Sequence, residues 1–224
     1  MKGLQKESDS GMLYLAVKHH SICHESKTEQ TGHVPIVVEN PRSKEKITKY
    51  IEKYKAVEAL ICHIEWYERE HDGKKYRGFK LSLNAAGTPC VLDIPFKSRA
   101  CGRFMKLAEN IDPTQPVEFS AWYDKKDDAT AFNVKQGGKA VPQKYTLENP
   151  GDCPRAEKDE AGDLDFRAQT RFLLGRMKDV VIPRVEAAGN EMPHTQEQAQ
   201  AASAASAPQS HVPTEDLSDD DIPF

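Results

Sequence analysis

The sequence has no apolar run close to the roughly eighteen residues that a membrane-spanning helix needs. Its first residues, MKGLQKESDS, also lack the apolar stretch of a secretory signal. We therefore expect no membrane partner and a cytoplasmic location. The cysteines are odd in number and form no CxxC pair, which favours reduced thiols over disulfides or a zinc site. They are Cys23, Cys62, Cys90, Cys101 and Cys153.

Patterns that support catalysis are scarce as well. His20 and His24 could share one face of a strand, but no second group of ligands completes a metal site, which favours a surface group of histidines. Gly137-Gly138 lacks the following helix and the Lys-Ser/Thr pair of a phosphate-binding loop, so we interpret it as a turn. No paired carboxylates and no nucleophile with a positioned base are evident. We predict no enzymatic activity, no metal and no cofactor.

Charge is distributed unevenly along the 224 residues. No Lys or Arg follows Arg184, and residues 189–224 hold seven of the 35 acidic residues. Residues 1–188 therefore carry 31 basic and 28 acidic residues, and within them residues 42–145 hold 20 basic and 14 acidic residues. A mildly basic core is followed by an acidic tail. The overall net charge of −4 is thus no argument against a nucleic-acid partner.

The N-terminal part contains short periodic segments. Residues 12–17 and 35–39 are apolar, β-like runs that predict one or two entry strands. Over residues 43–54, helical spacing relates Ile47, Tyr50, Ile51 and Tyr54. This spacing predicts a short helix with Ser43 as its N-cap.

The centre of the chain has the clearest strand pattern. Apolar and polar residues alternate on both sides of the turn sequence HDG, which predicts a long hairpin. The predicted elements are strands 57–68, 76–84 and 89–96, helix 97–110, and strands 117–123 and 129–134. Five strands with a helix after the third are typical of an OB-like Greek-key β-barrel. We predict such a mainly β domain with helices over residues 1–145; a β-sandwich is the alternative.

The chain changes character after this domain. Residues 146–162 are turn-rich and charged, and residues 164–182 show helical spacing that ends near Pro183. We interpret residues 146–188 as a linker and an amphipathic helix that packs on the barrel or on a second subunit. Residues 189–214 are rich in Ala, Gln, Ser and Pro and predict a disordered linker with a reach of about 25–30 Å.

Residues 215–224 form an acidic tip that ends in an apolar group. Its predicted protein-interaction residues are Asp216, Asp219, Asp220, Asp221, Ile222, Pro223 and Phe224. An acidic end often serves only as a solubilising tail. Here, however, Ile222 and Phe224 can fill an apolar pocket on a partner, and Pro223 limits the entropy lost on ordering. The tip therefore predicts a recruiting peptide.

The final DDDIPF resembles the C-terminus of the bacterial single-stranded DNA-binding (SSB) protein family. In that family a flexible linker joins such a tip to an OB-fold core that binds single-stranded DNA, and the tip docks on replication, recombination and repair proteins. The resemblance implies both activities here, in the bacterial cytoplasm or nucleoid, or in the host cytoplasm for a phage protein. Residues 1–145 lack the sequence pattern of the common bacterial proteins, which favours a divergent core, as in a phage or mobile-element protein. DNA-contacting residues are therefore not carried over, and a homo-oligomer is an open expectation.

Aromatic and basic residues coincide between residues 66 and 145, as single-strand binding without sequence choice requires. Most aromatic side chains of a barrel belong to its core. In Trp66-Tyr67 and Trp122-Tyr123, strand alternation predicts one buried and one exposed ring in each pair. The favoured DNA-binding residues are Trp66, Tyr76, Arg77, Lys80, Lys97 and Trp122.

The leading hypothesis is thus a protein that coats single-stranded DNA during replication, recombination or repair and recruits partners through its tip. Two alternatives remain open from the sequence. One is an accessory protein that uses the tip without coating DNA. The other is a DNA-processing nuclease whose catalytic residues follow no recognised pattern.

Overall fold

A large mixed β-sheet organises the chain. The computed structural model describes residues 12–39, 44–71, 73–126, 128–158 and 164–193. The first strands are β1 (Leu13–Lys18), β2 (Ser21–Ser26), β3 (Val34–Glu39) and β4 (Lys46–Tyr54). The central strands are β5 (Val57–His71), β6 (Lys74–Ala85), β7 (Thr88–Pro95), β8 (Val117–Asp124) and β9 (Ala129–Gln136). Three two-residue strands are β10 (Lys139–Ala140), β11 (Glu157–Lys158) and β12 (Leu164–Asp165).

Within the described residues, ten strands form one sheet in the order β10-β9-β8-β5-β6-β7-β1-β2-β4-β3, and β11 pairs with β12. Strands β5, β6 and β7 are an antiparallel meander, and β8 pairs with the other edge of β5. Strand β1 runs parallel to β7, which makes the sheet mixed. The prediction of a β-rich fold with helices is confirmed at this level.

The predicted central hairpin is confirmed as β5 and β6. Its alternating pattern buries Ile64, Phe79 and Leu81 in the core, since successive side chains of a strand point to opposite faces. The register shifts between Ile61 and His63, which marks a β-bulge at Cys62. Beyond the core, residues 68–70 and 73–77 continue the hairpin into solvent; we call this part the hairpin arm.

The predicted helix after the third strand is also confirmed, as α1 (Arg99–Leu107) followed by a 3₁₀ turn at Ala108–Asn110. Ser98 is its N-cap, because the Ser98 hydroxyl oxygen accepts a hydrogen bond from the Cys101 amide at 3.1 Å. The buried face of α1 centres on Phe104, which packs against Phe79 with a ring separation of 6.3 Å. The opposite face remains available to solvent.

The helix predicted over residues 43–54 is wrong. Residues 46–54 form β4, which pairs with β2 on one side and β3 on the other. The sequence KITKYIEKY is rich in β-branched and aromatic residues, which suit a strand, and two neighbouring strands supply its hydrogen bonds. Ser43, the predicted N-cap, lies outside the described residues.

The C-terminal helix is longer than predicted. It consists of α2 (Arg167–Arg176), a π-helical turn at Met177–Val181 and α3 (Ile182–Ala187). Pro183 does not end it, because the π turn directly before the proline changes the local hydrogen-bonding pattern. The helix packs on the sheet through a buried stripe of Leu173, Met177, Val181 and Val185. The helical spacing was therefore interpreted correctly, but the helix begins at Arg167 rather than at residue 164 and continues past Pro183.

Two irregular segments are held to the same core. Residues 146–158 are mostly without regular structure, yet Cys153 within this segment is buried in the core. After α3, the Asn190 side-chain amide donates to the carbonyls of Ile61 at 2.9 Å and Pro113 at 2.6 Å. The predicted linker beyond residue 193 and the acidic tip lie outside the described residues.

Candidate nucleic-acid interface

An open groove of about 840 Å³ lies between α1, the β8–β9 hairpin and the start of α2. The first wall is α1, which presents Arg103 and Lys106. The opposite wall is formed by Phe166 and the first turns of α2, with Gln169 and Thr170. Buried apolar groups such as Phe132 and Leu173 close its floor. The groove is therefore an open depression between two helices and the β8–β9 hairpin.

The groove is strongly basic. Among its described lining residues, Lys97, Arg99, Arg103 and Lys106 are basic and Asp124 is acidic. Residues 99, 103 and 106 follow helical spacing, so α1 projects them from one face. Within the described chain, Lys97, Arg103 and Lys106 form no ion pair. The N-terminal end of α1 adds partial positive charge to the same side, so the groove favours an anionic ligand.

Aromatic rings lie at two edges of this groove. Phe166 is 49% exposed at the start of α2, and Phe96 lines the groove from the end of β7. Trp122, one of the predicted DNA-binding residues, is 46% exposed. It pairs directly with Ala131, which lines the groove, and directly opposed residues share one sheet face. Rings are thus available beside a row of cations.

The structure places the two rings of the Trp66-Tyr67 pair on opposite faces of β5, as strand alternation predicts. Trp66 is half-buried and packs towards the core, 5.0 Å from the Phe79 ring and 5.1 Å from the Phe96 ring. Tyr67 lies on the outer face, where its hydroxyl donates to Asp93 at 2.8 Å. Tyr67 is therefore the outward ring of this pair, because alternation on β5 turns Trp66 inward.

The pair Trp122-Tyr123 does not follow the expected alternation of burial. Both rings are exposed, Trp122 by 46% and Tyr123 by 43%. Tyr123 continues the inner face of β8 beyond the end of the core, where its ring contacts His20 at 4.6 Å and its hydroxyl donates to Asp128 at 2.6 Å. The prediction of one buried ring is wrong here because β8 extends beyond the core, which therefore does not cover Tyr123.

Three other predicted residues, Tyr76, Arg77 and Lys80, lie on β6 rather than at the groove. Tyr76 is 44% exposed in the hairpin arm. Arg77 forms an ion pair with Glu68 at 2.7 Å, and Lys80 lies 3.9 Å from Glu65. Lys97 is the predicted basic residue that the structure places in the groove.

A buried carboxylate holds the second wall of the groove to the first. Glu109, directly after α1, accepts two hydrogen bonds of 2.8 Å from the Arg176 guanidinium of α2. It also accepts from Lys144 at 2.6 Å and from the Tyr145 hydroxyl. The Arg176 hydrogen bonds, supported by those of Lys144 and Tyr145, lower the pKa of Glu109 to about 2 despite its burial.

Neighbouring contacts strengthen this attachment. The Tyr145 ring meets the Phe172 ring of α2 edge to face at 5.3 Å. Further along the helix, the Arg184 guanidinium donates to the carbonyls of Ala108, Glu109 and Ile111 at 2.8 to 3.0 Å. The end of α1 is therefore joined to the C-terminal helix by charged hydrogen bonds, which are stronger than neutral ones.

Cysteine and histidine residues offer no metal-binding cluster within the described ranges. All five cysteines are buried and free, and burial raises the pKa of the Cys90 and Cys101 thiols to about 12. His24 donates through Nδ1 to the Tyr14 carbonyl oxygen at 2.8 Å and contacts the His33 ring, while His20 meets Thr130 at 3.0 Å. These histidines therefore have structural contacts.

Sequence reasoning missed much of the groove. Lys106 and Phe166 were interpreted only as parts of helices, and Arg99 and Arg103 were not among the favoured residues. A stronger signal was present in the spacing of residues 99, 103 and 106, which puts three cations on one helix face. That they face the start of α2 depends on the tertiary fold.

Comparison with known proteins adds no identification. No protein-family model matches the chain, and no curated protein or solved structure is significantly similar to it. In the described part of the chain, none of the helices is long and apolar enough to span a membrane.

Proposed function

We propose that this protein binds single-stranded DNA in the basic groove and recruits replication, recombination or repair proteins through its acidic tip. The observation that carries the proposal is the row of Lys97, Arg99, Arg103 and Lys106 beside exposed Phe166 and Trp122. Cations bind the backbone phosphates of a single strand, and exposed rings stack on its bases.

The strand connectivity supports an OB-like core. A three-stranded meander, β5 to β7, is followed by α1 and then by the hairpin β8–β9, and β8 pairs with β5. This is the order of five strands and a helix expected for an OB barrel. In the described sheet, β1 rather than β9 lies beside β7, so the parallel pairing of β1 with β7 takes the place of the pairing between third and fifth strands that closes an OB barrel.

The acidic tip supports the second half of the proposal by its chemistry. Asp219, Asp220 and Asp221 precede Ile222-Pro223-Phe224, so charged and apolar contacts are offered to one partner. Replacing Phe224 by Ala should abolish capture of a purified SSB-tip-binding protein while leaving DNA affinity unchanged. Unchanged capture would contradict the recruiting role.

Fluorescence anisotropy with labelled oligo-dT and an equal-length duplex tests the DNA-binding half. Three or four phosphate contacts should give a slope of about −2 to −3 for log affinity against log salt concentration, since each contributes about −0.7. Preference for the single strand supports the proposal, and equal or weaker binding than the duplex refutes it. Cleavage of the probe that depends on a divalent metal would instead favour a nuclease.

A charge-matched pair of variants locates the binding site. Lys97→Glu with Arg103→Glu reverses two groove cations, whereas Lys53→Glu with Lys55→Glu reverses two exposed cations at β4. Only the first variant should weaken binding strongly and flatten the salt dependence. Equal losses in both would show that net charge, and not the groove, determines affinity.

A further inference from the structure

The groove has one wall on the sheet domain and one wall on the C-terminal helix. Residues 97–106 belong to the first wall, and residues 166–173 to the second. The width of the groove therefore depends on how α2 is attached to the end of α1. A ligand that touches both walls requires that attachment.

Arg176 lies one helical turn after Leu173, on the same face of the helix as the groove wall. It is the residue through which α2 reaches Glu109, with both carboxylate oxygens engaged at 2.8 Å. Glu109 is 7% exposed, so its charge is shielded from water, and its remaining partners, Lys144 and Tyr145, come from the loop beside α1. Glu109 thus joins three segments at one point.

We infer that Glu109 and Arg176 are positioning residues for the groove: their ion pair, buried on the Glu109 side, holds Phe166 and the first turns of α2 opposite the cations of α1. The ligand in this inference rests on the proposed function, whereas the claim that the ion pair fixes the position of α2 does not. The pair contributes no atom to the lining of the groove. Its effect on a ligand is therefore transmitted through the position of α2.

Arg176→Met tests the inference with the least disturbance to folding. Methionine keeps a long helix-forming side chain, and the Arg176 side chain is 36% exposed, so the variant leaves no large cavity. Arg171→Met is the matched control, because Arg171 is exposed on the same helix and its loss changes the net charge equally. Circular dichroism and thermal melting of both variants establish that they fold.

We expect Arg176→Met to weaken oligo-dT binding about tenfold relative to Arg171→Met, the size of the loss expected when the Phe166 ring no longer stacks on a base. The salt dependence should stay at the parent value, since the phosphate-binding cations remain on α1. An affinity equal to that of Arg171→Met would overturn the inference.

A double-mutant cycle with Phe166→Ala separates positioning from general loss of stability. If Arg176 acts by holding the Phe166 wall in place, its replacement should have little further effect once Phe166 is removed. Additive losses would show that the pair acts elsewhere, and would reject the inference.

Hydrogen exchange of the free protein distinguishes failure of this inference from failure of the proposed function. Amides of residues 167–173 should exchange faster in Arg176→Met than in Arg171→Met, whether or not the protein binds DNA. Equal exchange in the two variants would refute the positioning role. Absence of oligo-dT binding by the parent protein, together with faster exchange, would refute only the proposed ligand.

Discussion

The groove and the hairpin arm both bring aromatic rings together with basic side chains, yet their charges are paired differently. In and beside the arm, Arg77 and Lys80 each face a glutamate on β5. In the groove, Lys97, Arg103 and Lys106 have no ion pair within the described chain, while Glu109 engages Arg176 and Lys144 behind the wall. A surface of paired charges has a weak field, whereas a row of like charges attracts an anion. Pairing of charges, more than the number of basic residues, therefore distinguishes the candidate interface from the arm.

The largest difference between the groove and the arm should appear when one carboxylate is neutralised in each, Glu109 behind the groove and Glu68 in the arm. For Glu109→Gln we expect a loss of up to about 3 kcal/mol in unfolding free energy at pH 7, since lowering the pKa from 4.5 to about 2 has that value. Because the pKa of Glu109 is lower in the folded state, its contribution is present above the unfolded-state pKa. It is lost as the pH falls from about 4.5 to about 2.

Urea unfolding of this variant and the parent between pH 7 and pH 2 should therefore give curves that converge in acid. Glu68→Gln is the control, because it breaks the exposed pair with Arg77 and should leave the unfolding free energy unchanged. Similar losses in both variants would contradict the distinction between a buried attachment and an exposed pair.

Charge reversal should give the next largest effect, on DNA affinity. Lys97→Glu with Arg103→Glu is expected to weaken oligo-dT binding about 100-fold and to reduce the salt slope by about 1.4, or 0.7 for each lost phosphate contact. Arg77→Glu with Lys80→Glu should weaken it about threefold with little change in slope, because the phosphate contacts remain. Anisotropy titrations at several salt concentrations measure both quantities. A larger loss from the second variant would move the interface to β6.

Substitutions at two glycines compare how tightly the arm and the groove are packed. A Cβ at Gly78, at the base of the arm, would lie 2.7 Å from both the Ile94 carbonyl oxygen and the Tyr67 hydroxyl oxygen. Gly78→Ala should therefore cost about 2 kcal/mol in unfolding free energy, as overpacking does. At Gly102, on α1 beside the groove, a Cβ meets nothing within 4 Å, and Gly102→Ala should stabilise by up to about 1 kcal/mol. Thermal melting checks both, and a stabilised Gly78→Ala would disprove the close approach.

The smallest expected effect concerns stacking. Phe166→Ala should weaken oligo-dT binding about tenfold, within the range measured for one stacked base, and Tyr76→Ala should weaken it less than about twofold. Both residues are exposed by 44% or more, so neither substitution should impair folding. Titration with oligo-dT at fixed salt compares them directly. A greater loss from Tyr76→Ala would favour the arm as the stacking surface.

Sequence periodicity predicted the elements whose pattern of burial is regular along the chain. Alternation over β5 and β6 and the apolar face of α1 were sufficient to predict both elements, because each pattern matches only one kind of burial. Residues 46–54 fit a helix as well as a strand. Hydrogen bonds to β2 and β3 favour the strand. The periodicity of residues 46–54 alone does not reveal these pairing partners.

The candidate site was predictable only in fragments. Lys97 and Trp122 were favoured from the sequence, and the structure places Lys97 in the groove and Trp122 beside it. Phe166 lies more than forty residues further along the chain than Trp122, and only the packing of α2 on the core brings it to the same groove. Strand alternation places Trp66 and Tyr67 on opposite faces but does not show which ring faces inward. The sequence alone could therefore not decide between the two rings.

The two hydrogen bonds of Asn190 have a consequence for how the protein is laid out in space. They attach the chain at Ile61 and Pro113, after residues 167–187 have carried it about 30 Å of helix away from Phe166. A protein captured by the tip would thus start its approach from one end of this helix, while a nucleic-acid strand would occupy the other. The reach expected of residues 189–214, about 25–30 Å, is close to this length, so under the proposed function the tip and the groove lie within reach of each other.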